Sequence, residues 1–454
     1  MIRCIRPKAL TLIAAGISGG FLWGQVGSSP LPVNEVAVIE SKALAVTLEE
    51  ALDLALEGNT SLQAQGVALE SSRRAAQSSW NAFLPGISLS GSLSNSHSFT
   101  SGSETQWNWG ASGGLNLSLT AGIPVQMKLT ALQYEMAQIS YESQVQTIMA
   151  NVSNSFYKLL TAKKNLEVLE DNLALTKEQY EQSQVNYNRG LASELDMLRS
   201  QYAFVSAEPQ LERAQSQYEA DLVAFQLLIG SEAPVIPTGD FQLQQLNLPA
   251  AQDLVDTYLE NRLDVIQKKQ LLQEAELKKT SQVLSARAPS ISLSESIRMS
   301  PAGGKMDGEP SISGSFSIGV SIPVDGFIPG SSKSLSIKNT EDAVTTARMN
   351  LETTMAQASQ DIVTKAKEVK LLWNEVEIAR LNETIAERAY QLSQEGYGAG
   401  LVSQTDLENS RQQMVSAQLA GSTSQSQYLV GVEQLAHALG LTEQEVYELY
   451  GIKE

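Results

Sequence analysis

The sequence predicts a mainly α-helical chain that joins other copies of itself to build a β-barrel in a membrane. Three observations predict this. One structural unit is written twice, four segments alternate strictly between apolar and polar residues, and two helical stretches are too long for a compact domain.

The chain has 454 residues, 42% hydrophobic and 6% aromatic. It opens on a basic stretch with Arg3, Arg6 and Lys8, followed by an apolar run from Ala9 to Leu22. That order predicts a signal peptide over residues 1–24, cleaved near Gly24 or Gly27, with an uncleaved anchor as the alternative. Cys4 precedes the apolar run, whereas a lipid-anchor cysteine would follow it, so Cys4 is expected to leave with the leader. The mature chain then has no cysteine and no disulfide. Beyond the leader no window holds the roughly 18 apolar residues of a membrane helix, so a membrane reading must rest on strands.

The duplication is visible in two matches. Tyr180–Asp196 reads YEQSQVNYNRGLASELD and Tyr390–Asp406 reads YQLSQEGYGAGLVSQTD, 210 residues apart. Pro85-Gly-Ile-Ser-Leu-Ser likewise matches Pro289-Ser-Ile-Ser-Leu-Ser, 204 residues apart. A period this long is a whole structural half and not a solenoid repeat. The expected organisation is a first half over 47–230, a linker over 231–248, a second half over 249–440 and a short C-terminal helix over 441–454.

Each half opens on helical sequence, Thr47 to Ser79 and Pro249 to Ser285, with Thr47 and Glu50 forming a capping box at the first start. Strands are expected at about 86–95, 107–120, 289–299 and 311–323. In the second, Trp107, Trp109, Leu115, Leu117 and Leu119 alternate with Asn108, Ser112, Asn116, Ser118 and Thr120. In the fourth, Ile312, Phe316, Ile318, Val320 and Ile322 alternate with serines. A period of two puts the two sets on opposite faces, and runs of about ten such residues match tilted strands crossing a bilayer. Four strands cannot close a barrel alone, and an open sheet in lipid leaves its edges unsatisfied. Several chains must contribute. Glu295 breaks the apolar row of the third strand, and a place near the membrane interface would lower its cost. Asn95–Gln106 and Ser300–Pro310 suit exposed hairpin loops, and His97 lies in the first.

The first long helix, from about Pro124 to Tyr187, would span on the order of 100 Å. Val145, Val152, Leu159, Leu166, Leu173, Tyr180 and Tyr187 recur every seventh residue, as do Met355, Ile362, Val369 and Val376, then Tyr390 and Tyr397 in the second half. This is a coiled-coil seam. The return helix from Ser193 to about Gly230 contains Pro209, expected to bend or break it. Between the long helices, Gly190 and Gly400 suit the left-handed conformation that ends a helix, and Ser193 and Ser403 stand as N-caps with Asp196 and Asp406 three residues on. Capping alone would account for those aspartates.

The net charge of −18 becomes −21 once Arg3, Arg6 and Lys8 are removed, which argues against nucleic acid as a partner. The only histidines, His97 and His437, lie in different elements, and no zinc, P-loop or dinucleotide spacing is present. No catalytic residue, cofactor or metal is expected, and the chain does not read as an enzyme.

Tyr-x-x-Gly-Leu-x-Ser-x-x-Asp at both turns, two serine-rich strand pairs and the doubled layout resemble the outer membrane efflux protein family typified by TolC. The resemblance covers nearly all of the mature chain. It implies a homotrimer in the outer membrane of a diderm bacterium, with four strands per chain in a shared twelve-stranded barrel continued by a long periplasmic α-helical barrel. The implied function is an exit duct of a tripartite efflux or type I secretion system, passive itself. The implied partners are a periplasmic adaptor, an inner-membrane transporter and outer-membrane lipid. Asp406 would line the entrance constriction, with Asn409 where the family has a second aspartate. Tyr397 and Asp196 would form a hydrogen bond that helps keep the entrance shut, while Val402 replaces an arginine of that lock. Gly190, Leu191, Ser193, Gly400, Leu401 and Ser403 would form the adaptor-docking tip. An elongated coiled-coil surface protein and a passive porin are the alternatives.

Overall fold

The computed structural model describes residues 44–96, 106–302 and 308–452; the expected leader with Cys4, and the loop carrying His97, lie outside them. Strand β1 (Leu44–Val46) leads into α1 (Leu48–Gly58) and α2 (Thr60–Gln77). The Thr47 capping box is present at the start of α1. The opening helix is broken, contrary to a single run from Thr47 to Ser79. The Asn59 side chain accepts from the Ser61 and Leu62 amides and so starts a second helix. Gly58 at the break touches Gly230, where a Cβ would stand 2.3 Å from the Gly58 carbonyl oxygen and φ is +68°. Only glycine fits such a place.

Strands β2 (Gly86–Ser96) and β3 (Gln106–Thr120) precede α3 (Ile123–Asn188) and α4 (Glu194–Ile229). The connector carries β4 (Val235–Pro237), which pairs in parallel with β1. The second half follows with α5 (Ala251–Tyr258), α6 (Leu263–Arg287), β5 (Ser290–Pro301), β6 (Pro310–Ser321), α7 (Ser332–Gly398) and α8 (Gln404–Leu439), closed by α9 (Glu443–Tyr450). Helix α4 runs unbroken through Pro209. The missing amide would have bonded the Val205 carbonyl; Val205 is exposed, where water can take the place of that bond, and the expected break does not occur.

The four long strands form one antiparallel sheet in the order β2-β3-β5-β6. Its register collects Ile87, Leu89, Leu115, Leu117, Leu293, Ile291, Ile318 and Val320 on one face. The other face is a serine ladder, with hydroxyls paired at Ser90–Ser112 (2.8 Å), Ser294–Ser317 (2.7 Å) and Ser296–Ser315 (2.9 Å). It is packed tightly enough that a Cβ on Gly319 would meet Ser292 Oγ at 2.8 Å. Among the described residues β2 and β6 have free outer edges. Glu295 lies between Leu115 and Phe316 on the apolar face, midway along β5, and not toward a strand end as its charge would favour. No described helix is long and apolar enough to cross a membrane.

Helices α3 and α7, of 66 and 67 residues, are the spines. At about 1.5 Å per residue each is about 100 Å long. On the side of the turns the helices lie in a row α4-α3-α8-α7, while toward the sheet α2 packs on α3 and α6 on both spines. The main core gathers where the helices meet α1, α5, α9 and the β1–β4 pair. It holds Val152, Phe156 and Leu159 of α3, Phe225 and Ile229 of α4, Ile362 and Val369 of α7, and Tyr428, Val432 and Leu435 of α8. A second, smaller cluster of Tyr390, Leu407, Met414 and Val415 lies nearer the turns.

Candidate functional site at the hairpin turns

Both turns are built by the same local rules. Gly190 (φ +72°) and Gly400 (φ +75°) end α3 and α7 in the left-handed region. Ser193 and Ser403 then cap the return helices. The Asp196 amide donates to Ser193 Oγ at 3.1 Å, and that hydroxyl donates to Asp196 Oδ2 at 2.7 Å. The second turn repeats this at 3.2 and 2.7 Å between Ser403 and Asp406. The carboxylates therefore bond the cap hydroxyl. They also lie in the first turn, where the helix dipole favours negative charge.

Leu191 and Leu401 project into solvent at 75% and 85% exposure, a conspicuous position for large apolar side chains on the flank of two tight turns. Asp406 and Asn409 are exposed one turn apart on α8. Tyr397, on the last turn of α7, is half-buried and near Asp196 of the other hairpin. Burial, and then the Asp196 charge, hold the Tyr397 hydroxyl above the ordinary tyrosine value, so it stays protonated. No hydrogen bond joins the two among the described residues. Val402 folds back onto Gly396 of α7, where an added Cβ would lie 2.5 Å from Val402 Cγ2.

The polar residues that do cross between the hairpins went unnoticed in the sequence. Arg199 of α4 donates to Thr405 of α8. Arg411 of α8, only 3% exposed, donates through Nη1 to Asn172 of α3 and through Nε and Nη2 to Glu408. Gln179 of α3 donates to the Tyr390 hydroxyl at 3.1 Å. A cavity of about 520 Å³ opens between α4 and α8 beside these residues, lined among others by Arg199, Gln404, Asn409 and Arg411. A signal was available: Gln404, Arg411, Gln418, Gln425, Val432 and Leu439 form one seven-residue row. A charge in such a row is a seam residue by spacing.

Residues 51–231 and 254–441 match the sequence profile of the family described as outer membrane efflux protein, one match in each half of the duplication. Over 425 residues the chain is 21% identical to outer membrane protein TolC of Vibrio cholerae, covering 91% of this chain and 95% of that protein. Among solved structures, the CmeC outer membrane channel of Campylobacter jejuni superposes with a TM-score of 0.71 at 17% identity, over 95% of this chain and 94% of that one. The open state of the MtrE outer membrane channel of Neisseria gonorrhoeae gives 0.70 at 18% identity, over 87% and 89%. At these identities the likeness is one of fold, and it extends over most of both chains. With both halves of its doubled fold matched, the chain belongs to the outer membrane efflux protein family and is an outer-membrane channel protein.

Proposed function

We propose that three copies of this chain form one continuous tube that carries cargo passively from an inner-membrane transporter through the outer membrane. A periplasmic adaptor would bind its hairpin tip at Gly190, Leu191, Ser193, Gly400, Leu401 and Ser403. The observation that carries this reading is the incompleteness of one chain. Among the described residues its sheet leaves the outer edges of β2 and β6 unpaired and holds Leu89 88% and Phe316 63% exposed. Unpaired strand edges cannot stand in lipid. Its helical row is likewise open at α4 and α7. Three copies supply twelve strands (three times four), and lipid covers the apolar outer face. The serine ladder then lines a wet lumen.

Asp406 is the residue proposed to ring the entrance. Three carboxylates close together repel anions and attract cations, and Asn409 leaves the next turn neutral. Tyr397, which feels the Asp196 charge from the other hairpin, is proposed to form the closing hydrogen bond with it. Two measurements test the reading. Light scattering in detergent is expected to give a trimer, and a monomer would sink the tube. Asp406→Ala is expected to lower cation preference in single-channel recordings, and unchanged selectivity and conductance would remove Asp406 from the constriction.

A further inference from the structure

The interface between the two hairpins changes character along its length. Near the main core it is apolar, through Val152, Phe156 and Leu159 on α3 and Tyr428, Val432 and Leu435 on α8. Toward the turns the buried residues of α3 become Asn172, Thr176 and Ser183, while on α8 the polar Gln404, Ser410 and Arg411 are buried among Leu407, Met414 and Val415. This stretch is also poorly satisfied. Gln179 Oε1, Ser183 Oγ and Gln404 Nε2 are buried with no partner, a state that water would relieve. Apolar contact here shrinks to Val168 and Leu175 of α3, half-buried against the small cluster of Tyr390, Leu407, Met414 and Val415, so the specific polar contacts share in holding α3 to α8.

We propose that Arg411 is a clasp between the hairpins: through Asn172 it holds α8 against α3 and sets how readily the hairpins part at the tip. This rests on the tip being the channel entrance. A buried guanidinium is costly unless paired. Here its charge partner, Glu408, is on the same helix, and its partner across the interface, Asn172, is neutral. Parting the hairpins therefore leaves the ion pair whole and exchanges one hydrogen bond for water. That makes the contact strong enough to hold and cheap enough to release. Arg199 to Thr405 is a second link of the same kind, again from a guanidinium to a neutral acceptor on the other hairpin. Val402, folded onto its own hairpin, contributes no such link.

Substituting Arg411 itself would strand Glu408, so the test is made at Asn172. Spin labels on Leu191→Cys and Leu401→Cys, in the full chain carrying Cys4→Ser, report the separation of the two turns. Asn172→Ala removes the acceptor and is expected to broaden and lengthen the distance distribution. It should also raise the open fraction in planar bilayers roughly tenfold, the scale of a hydrogen bond to a charged group. Asn172→Asp gives Arg411 a second carboxylate and is expected to do the opposite, narrowing the distribution and lowering the open fraction. A merely structural role would move both variants the same way. Shifts in one direction, or distances that neither variant moves, would overturn the clasp. A wild-type protein that yields label distances but no conductance would defeat the channel reading, with the clasp still decided by the distances.

Discussion

Helices α4 and α8 are each 36 residues long and hold the same place in their halves, yet their surfaces are opposites. Both keep the inward anchors 210 residues apart: Phe225 with Leu435, and Ile229 with Leu439, all buried. The outward faces differ. On α4, Leu195, Leu198, Tyr202, Val223 and Leu227 are exposed. Their equivalents on α8 are Thr405, Glu408, Gln412, Glu433 and His437. Helix α8 is covered on two sides, by α3 and α7, and buries most of its length. Helix α4 packs on α3 along the hairpin and meets α8 near the turn through Arg199 and Thr405, and among the described residues most of its outer face is uncovered. Duplication preserved the face that packs within the chain and rewrote the other. An apolar stripe left open on one copy, where its twin is polar, is the surface that a neighbouring copy would cover in the proposed trimer.

The largest expected effect follows from the shared anchors. Leu435→Ala removes a side chain that is 0% exposed and should destabilise the chain by about 2–5 kcal/mol in denaturant unfolding. Leu227→Ser, at a residue 81% exposed, should change the unfolding of a single chain by only about 0.5 kcal/mol or less. It should nevertheless weaken trimer assembly in detergent. If Leu227→Ser unfolds the chain as readily as Leu435→Ala, the open face of α4 is packed after all and the contrast fails.

A middle-sized effect concerns the polar side of α8. Glu433 and Glu443 of α9 both line a cavity of about 920 Å³, with Glu49 and Asp53 of α1, Asp240, His437, Tyr447 and Glu448. Burial first, and then the neighbouring Glu443 charge, push Glu433 from 4.5 up to about 7. Burial alone does the same to Glu443, against the hydrogen bond it accepts from Tyr157 at 3.1 Å. A carboxyl raised on folding binds its proton more tightly folded than unfolded. Its stabilising contribution is therefore full below about pH 4.5 and is lost as pH rises through about 7. Thermal stability should fall across that window, and Glu443→Gln should flatten the fall. No equivalent is expected from Val223 on α4, and a wild-type profile flat between these values would show that the pair is solvated.

How much of this was legible follows from the same contrast. The sheet was open to reading because a period of two with serine on one side admits few structures. The row Ile362, Val369 and Val376 is buried on α7. On α3 the apolar row is buried at Val152 and Leu159 but only half-buried at Leu166, Leu173 and Tyr180, where Asn172, Thr176 and Ser183 take the interior. Hydrophobic periodicity assumes that apolar means buried within the chain, and that assumption fails where the interface must separate or where another copy supplies the cover. Arg411 was missed for this reason. Asn59 and Pro209 mislead differently: one caps in mid-run, and the other costs little because its turn faces water.

The smallest effect lies at the turns, where the two halves are still alike. Ser193→Ala and Ser403→Ala each remove one hydroxyl that serves an amide and a carboxylate at nearly equal distances. Loss of such a cap is worth about 1 kcal/mol. The turns are far from the main core, so the loss should appear as fraying of the first helical turn and leave global unfolding almost unchanged. Hydrogen exchange at the Asp196 and Asp406 amides should accelerate by about fivefold in the respective variants, and equally. Equality would place the divergence of the halves wholly on the helix faces. A larger effect at Asp406 than at Asp196 would mean that the second turn is held by more than its cap, as a residue ringing a pore with two copies of itself would be.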